Sequence, residues 1–374
     1  MAGTRGTGIS PVQKEYLDVL RSAIWGETPA CLPGDIAGVL EIANVQKTRP
    51  LILDALQKAG YCDPECMTVI YRTASAHVTI NRAIAALVGL LRENGIEPVL
   101  FKGQGVALNY PQPMLRECGD IDLYVGPEHY EKACALVRER IPDTARKFKQ
   151  EADKHYTAVF NDAIVEIHKA TFILEERRKD AFYQSFAADG LSRDLVPVTI
   201  GEATVNTPAD GFNAFYLFLH FLRHAIQGGI GLRQICDWAL FLHSRAGKLD
   251  TSVVDRALTE LGLRDSWRVY ASVAVDFLGL PAAEMPFYQA GYEGRAAQMI
   301  SLILEEGNFG RGIGSMEGRP TDRNAAKLFT ARMILRRSRI LWRLLPETRP
   351  LIPGVAVSTL TSGIGHFIKD LFKK

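Results

Sequence analysis

The sequence has little cysteine, no long apolar run and no marked excess of either charge. Six cysteines are scattered through 374 residues, too thinly for a disulfide framework, and their scatter fits reduced thiols in a cytosolic protein. Cys62 and Cys66 form a C-x3-C, but no second Cys or His pair supplies the other half of a four-ligand zinc site. The most apolar run, 212–222, has 11 residues and carries Asn213 and His220, against roughly 20 needed to span a bilayer. Residues 1–20 contain no apolar stretch of signal-peptide type, so the expected location is cytoplasmic. Lys plus Arg is 44 and Asp plus Glu is 42, a net charge of +2, and DNA is not an expected partner. Neither a Walker A loop nor a G-x-S-x-G elbow occurs, which removes P-loop and serine-hydrolase chemistry.

What is present is ample material for a core, with 47% hydrophobic and 23% charged residues, in a chain long enough for two or three packed units. Residues 1–94 read as a helical region. Ser10-Pro11 opens one helix, Pro50 marks a break or start, and Asp63-Pro64 starts a longer helix reaching about Glu93, each by N-cap and first-position preferences. Asn94-Gly95 is a helix-stop signal, and residues 95–206 read as an α/β module. Its strands are predicted at 98–101, 121–125, 156–160 and 164–168, the last two joined by Asn161-Asp162 as a hairpin. Residues 171–206 read as irregular, apart from a short strand pair near 196–200 and 203–205. Residues 207–374 form a helical domain with a Gly-rich loop at 307–314 and a basic tail. From 323 to 374, eleven basic residues stand against Glu347 and Asp370. The tail is either a solvated helix face or a peripheral contact for anionic lipid, and 364–374 is a second short basic amphipathic piece.

Chemistry concentrates between Phe101 and Tyr124. Asp120 and Asp122 are two apart on a strand, so both carboxylates project from one face. Like charges that close call for a cation, and hard ions such as Mg²⁺ take carboxylate oxygens. A solvated acidic pair is the competing account. Upstream, a strand runs into Lys102-Gly103 and a helix, a place for a phosphate because helix N-termini attract anions and glycine permits close approach. Downstream, Glu166 alternates with Val165 and Ile167 and offers a third carboxylate for a two-metal site. His168 follows at the same-face spacing, either hydrogen-bonded within the sheet or orienting Glu166. His220 and His224 share a helix face, but the Glu of H-E-x-x-H is missing, so a zinc protease is excluded.

Strand, Lys102-Gly103, Arg116, then Asp120-Ile121-Asp122-Leu123-Tyr124-Val125 and Val165-Glu166-Ile167-His168 is similar to the uncharacterised nucleotidyltransferase family of the DNA-polymerase-beta-like superfamily. His220-x3-His224, Gly229 and Leu232-Arg233-x3-Asp237-Trp238-Ala239 resemble that family's helical signatures, and the likeness covers roughly 38–245. It implies an α/β (α+β) fold with a minimal mixed sheet flanked by helices. It implies that Asp120, Asp122 and Glu166 hold Mg²⁺ or Mn²⁺, with Glu166 also helping to deprotonate the acceptor hydroxyl. Lys102 and Gly103 would hold the triphosphate of a nucleoside triphosphate (NTP) co-substrate. The superfamily's Gly-Gly/Ser is Lys-Gly here, which shifts the phosphate grip toward the Lys102 cation. Arg116 is either a bidentate phosphate donor or a solvated loop arginine. Arg233 and Asp237 are i, i+4 and can pair. With the two histidines they either face the α/β module as cofactor-binding groups or form a polar core network. The expected activity is transfer of a nucleotidyl group, adenylyl by preference, to a hydroxyl or phosphate of a small molecule or glycan precursor. The alternatives are a non-catalytic nucleotide- or partner-binding protein on the same scaffold, and an RNA or protein acceptor.

Overall fold

A computed structural model describes residues 8–140, 150–151, 155–308 and 322–348. The chain starts with helices α1 (Pro11–Trp25), α2 (Ile36–Gln46), α3 (Arg49–Lys58) and α4 (Pro64–Glu93). The expected starts hold. Ser10 and Gln13 form a capping box on α1, and Asp63 caps α4 ahead of Pro64. The strands follow as β1 (Val99–Phe101), β2 (Asp120–Tyr124), β3 (Gln150–Glu151), β4 (His155–Phe160), β5 (Ala163–His168), β6 (Val196–Ile200) and β7 (Ala203–Thr207). They form one mixed sheet in the order β3-β4-β5-β2-β1-β7-β6. The short helix α5 (Gly103–Ala107) follows β1, and α6 (Tyr130–Arg140) follows β2. The β4–β5 hairpin turns on Asn161 and Asp162, both at positive φ (47° and 62°), the geometry of a primed turn that Asn and Asp tolerate.

Period-2 alternation divides the sheet into two faces. Leu100, Ile121, Leu123, Val165 and Ile167 point to one side and pack with Ile80, Ala83, Ile84, Leu87 and Val88 of α4 and with Ala133 and Val137 of α6. By length and composition α4 is apolar enough to cross a membrane; its buried stripe lies against the sheet. Phe101, Asp122, Glu166 and His168 point to the other side, where α8 (Asp210–Gln227) and α9 (Leu232–Ser244) cover them. Phe101 stacks on Tyr216 of α8 with ring centroids 4.9 Å apart. The helices of residues 1–94 are thus shared between two cores: α4 backs the sheet, while α1 to α3 pack with the later helices around Phe218, Trp238 and Trp267.

Two expectations need correction. Residues 171–206 contain a helix, α7 (Arg177–Gly190), whose weak apolar stripe of Tyr183, Phe186 and Ala187 follows four charged residues, Arg177 to Asp180. Among the described residues, 95–170 hold five strands rather than four, the added one being the two-residue β3. The helix Arg323–Leu344 carries the described part of the basic tail. It is partly neutralised by docking: Arg336 pairs with Glu305, and buried Arg337 pairs with Glu306 at 2.7 Å. Residues 309–314 of the Gly-rich loop and the 364–374 piece lie outside the described residues.

Candidate active site

Parallel pairing of β2 with β5 sets Asp122 directly beside Glu166, and Tyr124 beside His168. Side chains on neighbouring parallel strands at one level share a face. Asp120, Asp122 and Glu166 therefore converge, with ligand oxygens all within 4.8 Å of one another. The three stand at the edge of a cleft of about 750 Å³ between sheet and helices, a size suited to a small-molecule ligand. Tyr216, His220, Arg223, His224 and Gln227 line its far wall at helical spacing on α8, with Arg233, Gln234 and Asp237 beside them on α9.

Lys102 lies at the junction of β1 and α5 with φ 46° and ψ −139°, followed by Gly103 at φ 43°. A lysine in that backbone region is strained, and tertiary contacts hold it. Its Nζ is 3.1 Å from Asp122 Oδ1 and donates to His220 Nε2 at 3.1 Å. His224 Nε2 lies 3.2 Å from the same His220 nitrogen. His220 Nε2 is therefore an acceptor, and His224 is the donor in that contact. At Gly103, an added Cβ would come within 3.4 Å of the Asp120 carbonyl oxygen, so the Lys102-Gly103 junction and the acidic strand are in close contact.

The electrostatics follow from burial and pairing. Burial works against the charge on Asp122, but Lys102 and the hydrogen bond from His168 outweigh it and hold its carboxyl far below the usual range. Asp120 faces the open cleft and moves the other way, raised by Asp122 first, then by desolvation, with Lys102 opposing. Burial and the neighbouring Lys102 push His220 well down and His224 to about 4, so both rings are neutral at pH 7. His168 donates Nε2–H to Asp122 at 3.0 Å and approaches Glu166 Oε2 at 3.4 Å. Among the described residues its Nδ1 is buried without a partner, which places the proton on Nε2. Burial lowers the basicity of His168, but the two carboxylates raise it above the ordinary histidine value.

These donor atoms suit a hard divalent ion: three convergent carboxylates, two repelling each other, beside a lysine that already offsets one charge. Asp120, Asp122 and Glu166 would hold it. The structure brings together every residue singled out for the site, but with a different division of work for Arg116 and Asp237. Arg116 is 4% exposed, so it is not a solvated loop arginine. Its Nε and Nη2 donate to the two Asp237 oxygens, each at 2.7 Å, and Tyr110 Oη donates to Oδ1 at 2.7 Å. Asp237 thus pairs with Arg116 rather than with Arg233, whose Nη1 donates to the Glu117 carbonyl. Gln104 Nε2 donates to His77 Nδ1, which leaves His77 Nε2 to donate to the Arg116 carbonyl at 2.6 Å. The 116–119 loop leading into Asp120 is therefore held from three sides. Sequence reasoning passed over His77, whose only signal is a histidine within an apolar helix stripe. It also passed over His155, Tyr216 and Lys47, which no local pattern marks.

A family model described as uncharacterised nucleotidyltransferase matches residues 33–279, extending past the sequence resemblance at both ends and including every residue that lines the cleft except Asn308. No curated protein and no solved structure matches the chain. The three carboxylates, the Lys102-Gly103 junction and the His220–Asp237 helices all fall inside the matched span, and the chain belongs to the uncharacterised nucleotidyltransferase family.

Proposed function

We propose that the protein transfers a nucleotidyl group, adenylyl foremost, from an NTP to a hydroxyl or phosphate oxygen of a small acceptor. The observation that carries this reading is the convergence of Asp120, Asp122 and Glu166 within 4.8 Å, next to the Lys102-Gly103 junction. A bound Mg²⁺ or Mn²⁺ would neutralise triphosphate charge and polarise the reacting oxygens. The chain's own groups do the rest. Lys102, with Gly103 allowing close approach, receives the triphosphate. The acceptor oxygen bonds to the α-phosphorus as the bond to the bridging α–β oxygen breaks, and pyrophosphate leaves with that electron pair. Glu166 takes the acceptor's proton, and His168 orients it from 3.4 Å. Neutral His220 and His224 line the wall without repelling Lys102. The Arg116–Asp237 pair positions the loop before Asp120 rather than binding phosphate.

One observation favours a second reading. Lys102 Nζ already sits 3.1 Å from Asp122, so the acidic set is partly balanced without an ion, as a nucleotide-binding protein without transfer activity would allow. The experiment that separates them uses α-³²P-labelled NTPs, Mg²⁺ and a metabolite extract, with Asp122→Asn as control. Label moving to a small molecule together with pyrophosphate release supports transfer. Nucleotide binding without either product overturns it.

A further inference from the structure

We propose that His155, Glu166 and His168 form a second metal site, one that takes a borderline transition ion such as Zn²⁺ or Co²⁺ rather than Mg²⁺. The three residues come from two adjacent antiparallel strands. His155 of β4 stands directly opposite His168 of β5, and Glu166, two residues before His168, shares its face. One ligand atom from each lies within 4.8 Å of the other two. His155 Nε2 is 3.6 Å from Glu166 Oε1, and His168 Nε2 is 3.4 Å from Glu166 Oε2. An ion bound by imidazole nitrogen and carboxylate oxygen at roughly 2.0–2.2 Å in tetrahedral array separates its ligands by roughly 3.3–3.6 Å. Each N···O separation falls in that span, His155 against one oxygen of the Glu166 carboxylate and His168 against the other.

Donor chemistry argues for a different ion from the one beside it. The Asp120–Asp122 side offers only oxygens and an ammonium, which suits a hard ion. Two imidazoles and one carboxylate are the donor set of borderline ions. The nitrogen of His168 that faces the cluster is Nε2, since Nδ1 is buried on the other side without a partner among the described residues. When the ion takes Nε2, the ring keeps its single proton on Nδ1 and gives up the Nε2–H bond to Asp122. Asp122 Oδ1, 3.0 Å from the same nitrogen, is near enough to serve as a fourth ligand or to hold a bound water. His155 is half-buried and borders the cleft, so an ion can enter from solvent.

The test needs no nucleotide, so its failure would leave the transferase reading intact. Chelator-treated full-length protein is titrated with Co²⁺ and followed by the visible d–d bands, then with Zn²⁺ in competition. One equivalent of Co²⁺ with intense visible bands, displaced by Zn²⁺ and not by millimolar Mg²⁺, is expected of a tetrahedral nitrogen-containing site. His155→Ala should weaken Zn²⁺ at least tenfold, since losing even an outer-shell partner of a ligand costs about 10–100-fold. Asp120→Asn, which breaks only the carboxylate set, should change it less than threefold. Equal losses in both variants, or none in His155→Ala, overturn the proposal. Should His155→Ala fail to fold, ¹⁵N-histidine spectra of the wild type give the same answer. Shifts confined to His155 and His168 and saturating at one equivalent of Zn²⁺ support the site, and unchanged rings overturn it.

Discussion

Replacing Arg116 with Met removes the guanidinium and keeps most of the side-chain volume. Asp237 is 5% exposed and would retain only the Tyr110 hydroxyl at 2.7 Å in place of two charge-assisted bonds. Leaving a buried charge without its partner costs about 3–5 kcal/mol, a large part of a typical domain's 5–15 kcal/mol. Urea unfolding at pH 7 should therefore show a stability loss of that size, read as a lower midpoint with little change in slope. Because the carboxyl of Asp237 is held below its ordinary value against burial, chiefly by Arg116, the pair's contribution is present above the unfolded carboxylate range. It is lost as pH falls through the lower folded value. The double variant Arg116→Met/Asp237→Leu removes the orphaned charge and should recover most of the loss. Folded Arg116→Met protein, assayed in the cold, should bind NTP within about threefold of wild type. A stability change under 1 kcal/mol, or a large rise in nucleotide Kd at unchanged stability, would refute the positioning role and restore Arg116 as a phosphate ligand.

Three more outcomes are open to measurement. Asp120→Asn should melt at or above the wild-type temperature in chelator, because it relieves the repulsion from Asp122 that raises Asp120, while losing the stabilisation that Mg²⁺ gives the wild type; a lower melting temperature in chelator contradicts this. His224 titrates at about 4 in the fold against 6.5 unfolded, so the unfolded chain takes its proton first and stability falls as pH drops from about 6.5 to about 4. His224→Gln should remove up to about 3 kcal/mol of that slope, and an unchanged slope in urea melts across this window rejects it. Lys102→Ala should raise KM for NTP more than it lowers kcat if Lys102 acts mainly by holding phosphate in the ground state, whereas unchanged constants remove it from the site.

Local pattern carried the acidic strand because period 2 is a property of any strand. Asp120, Asp122 and Glu166 share a face whatever surrounds them, once β2 and β5 are neighbours. The neighbour relation itself was not legible. Nothing in residues 121–125 or 164–168 states that these strands pair in parallel with Asp122 opposite Glu166. The same limit applies to Arg116. Its sequence surroundings, a loop between Pro113 and Asp120, look solvated, and its burial comes from a partner 121 positions away. At 233 and 237 the i, i+4 spacing suggested a helical pair, but a buried bidentate partner for Asp237 outcompetes a flexible one on the same helix. Helix α7 was missed because Arg177, Arg178, Lys179 and Asp180 mask a stripe only a few residues long. His155 belongs to the acidic centre solely through cross-strand pairing with His168.

If the proposed function is right, the acidic cluster and the Lys102 junction together hold an NTP with a divalent ion. The most direct measurement is calorimetric titration of the chain with α,β-methylene analogues of the four NTPs, in Mg²⁺ and in EDTA. The wild type should bind one analogue per chain, at least tenfold more tightly in Mg²⁺. Asp120→Asn/Asp122→Asn should show the weak EDTA affinity even when Mg²⁺ is present. Binding that ignores both Mg²⁺ and the two carboxylates, or no binding of any analogue at millimolar concentration, would contradict it.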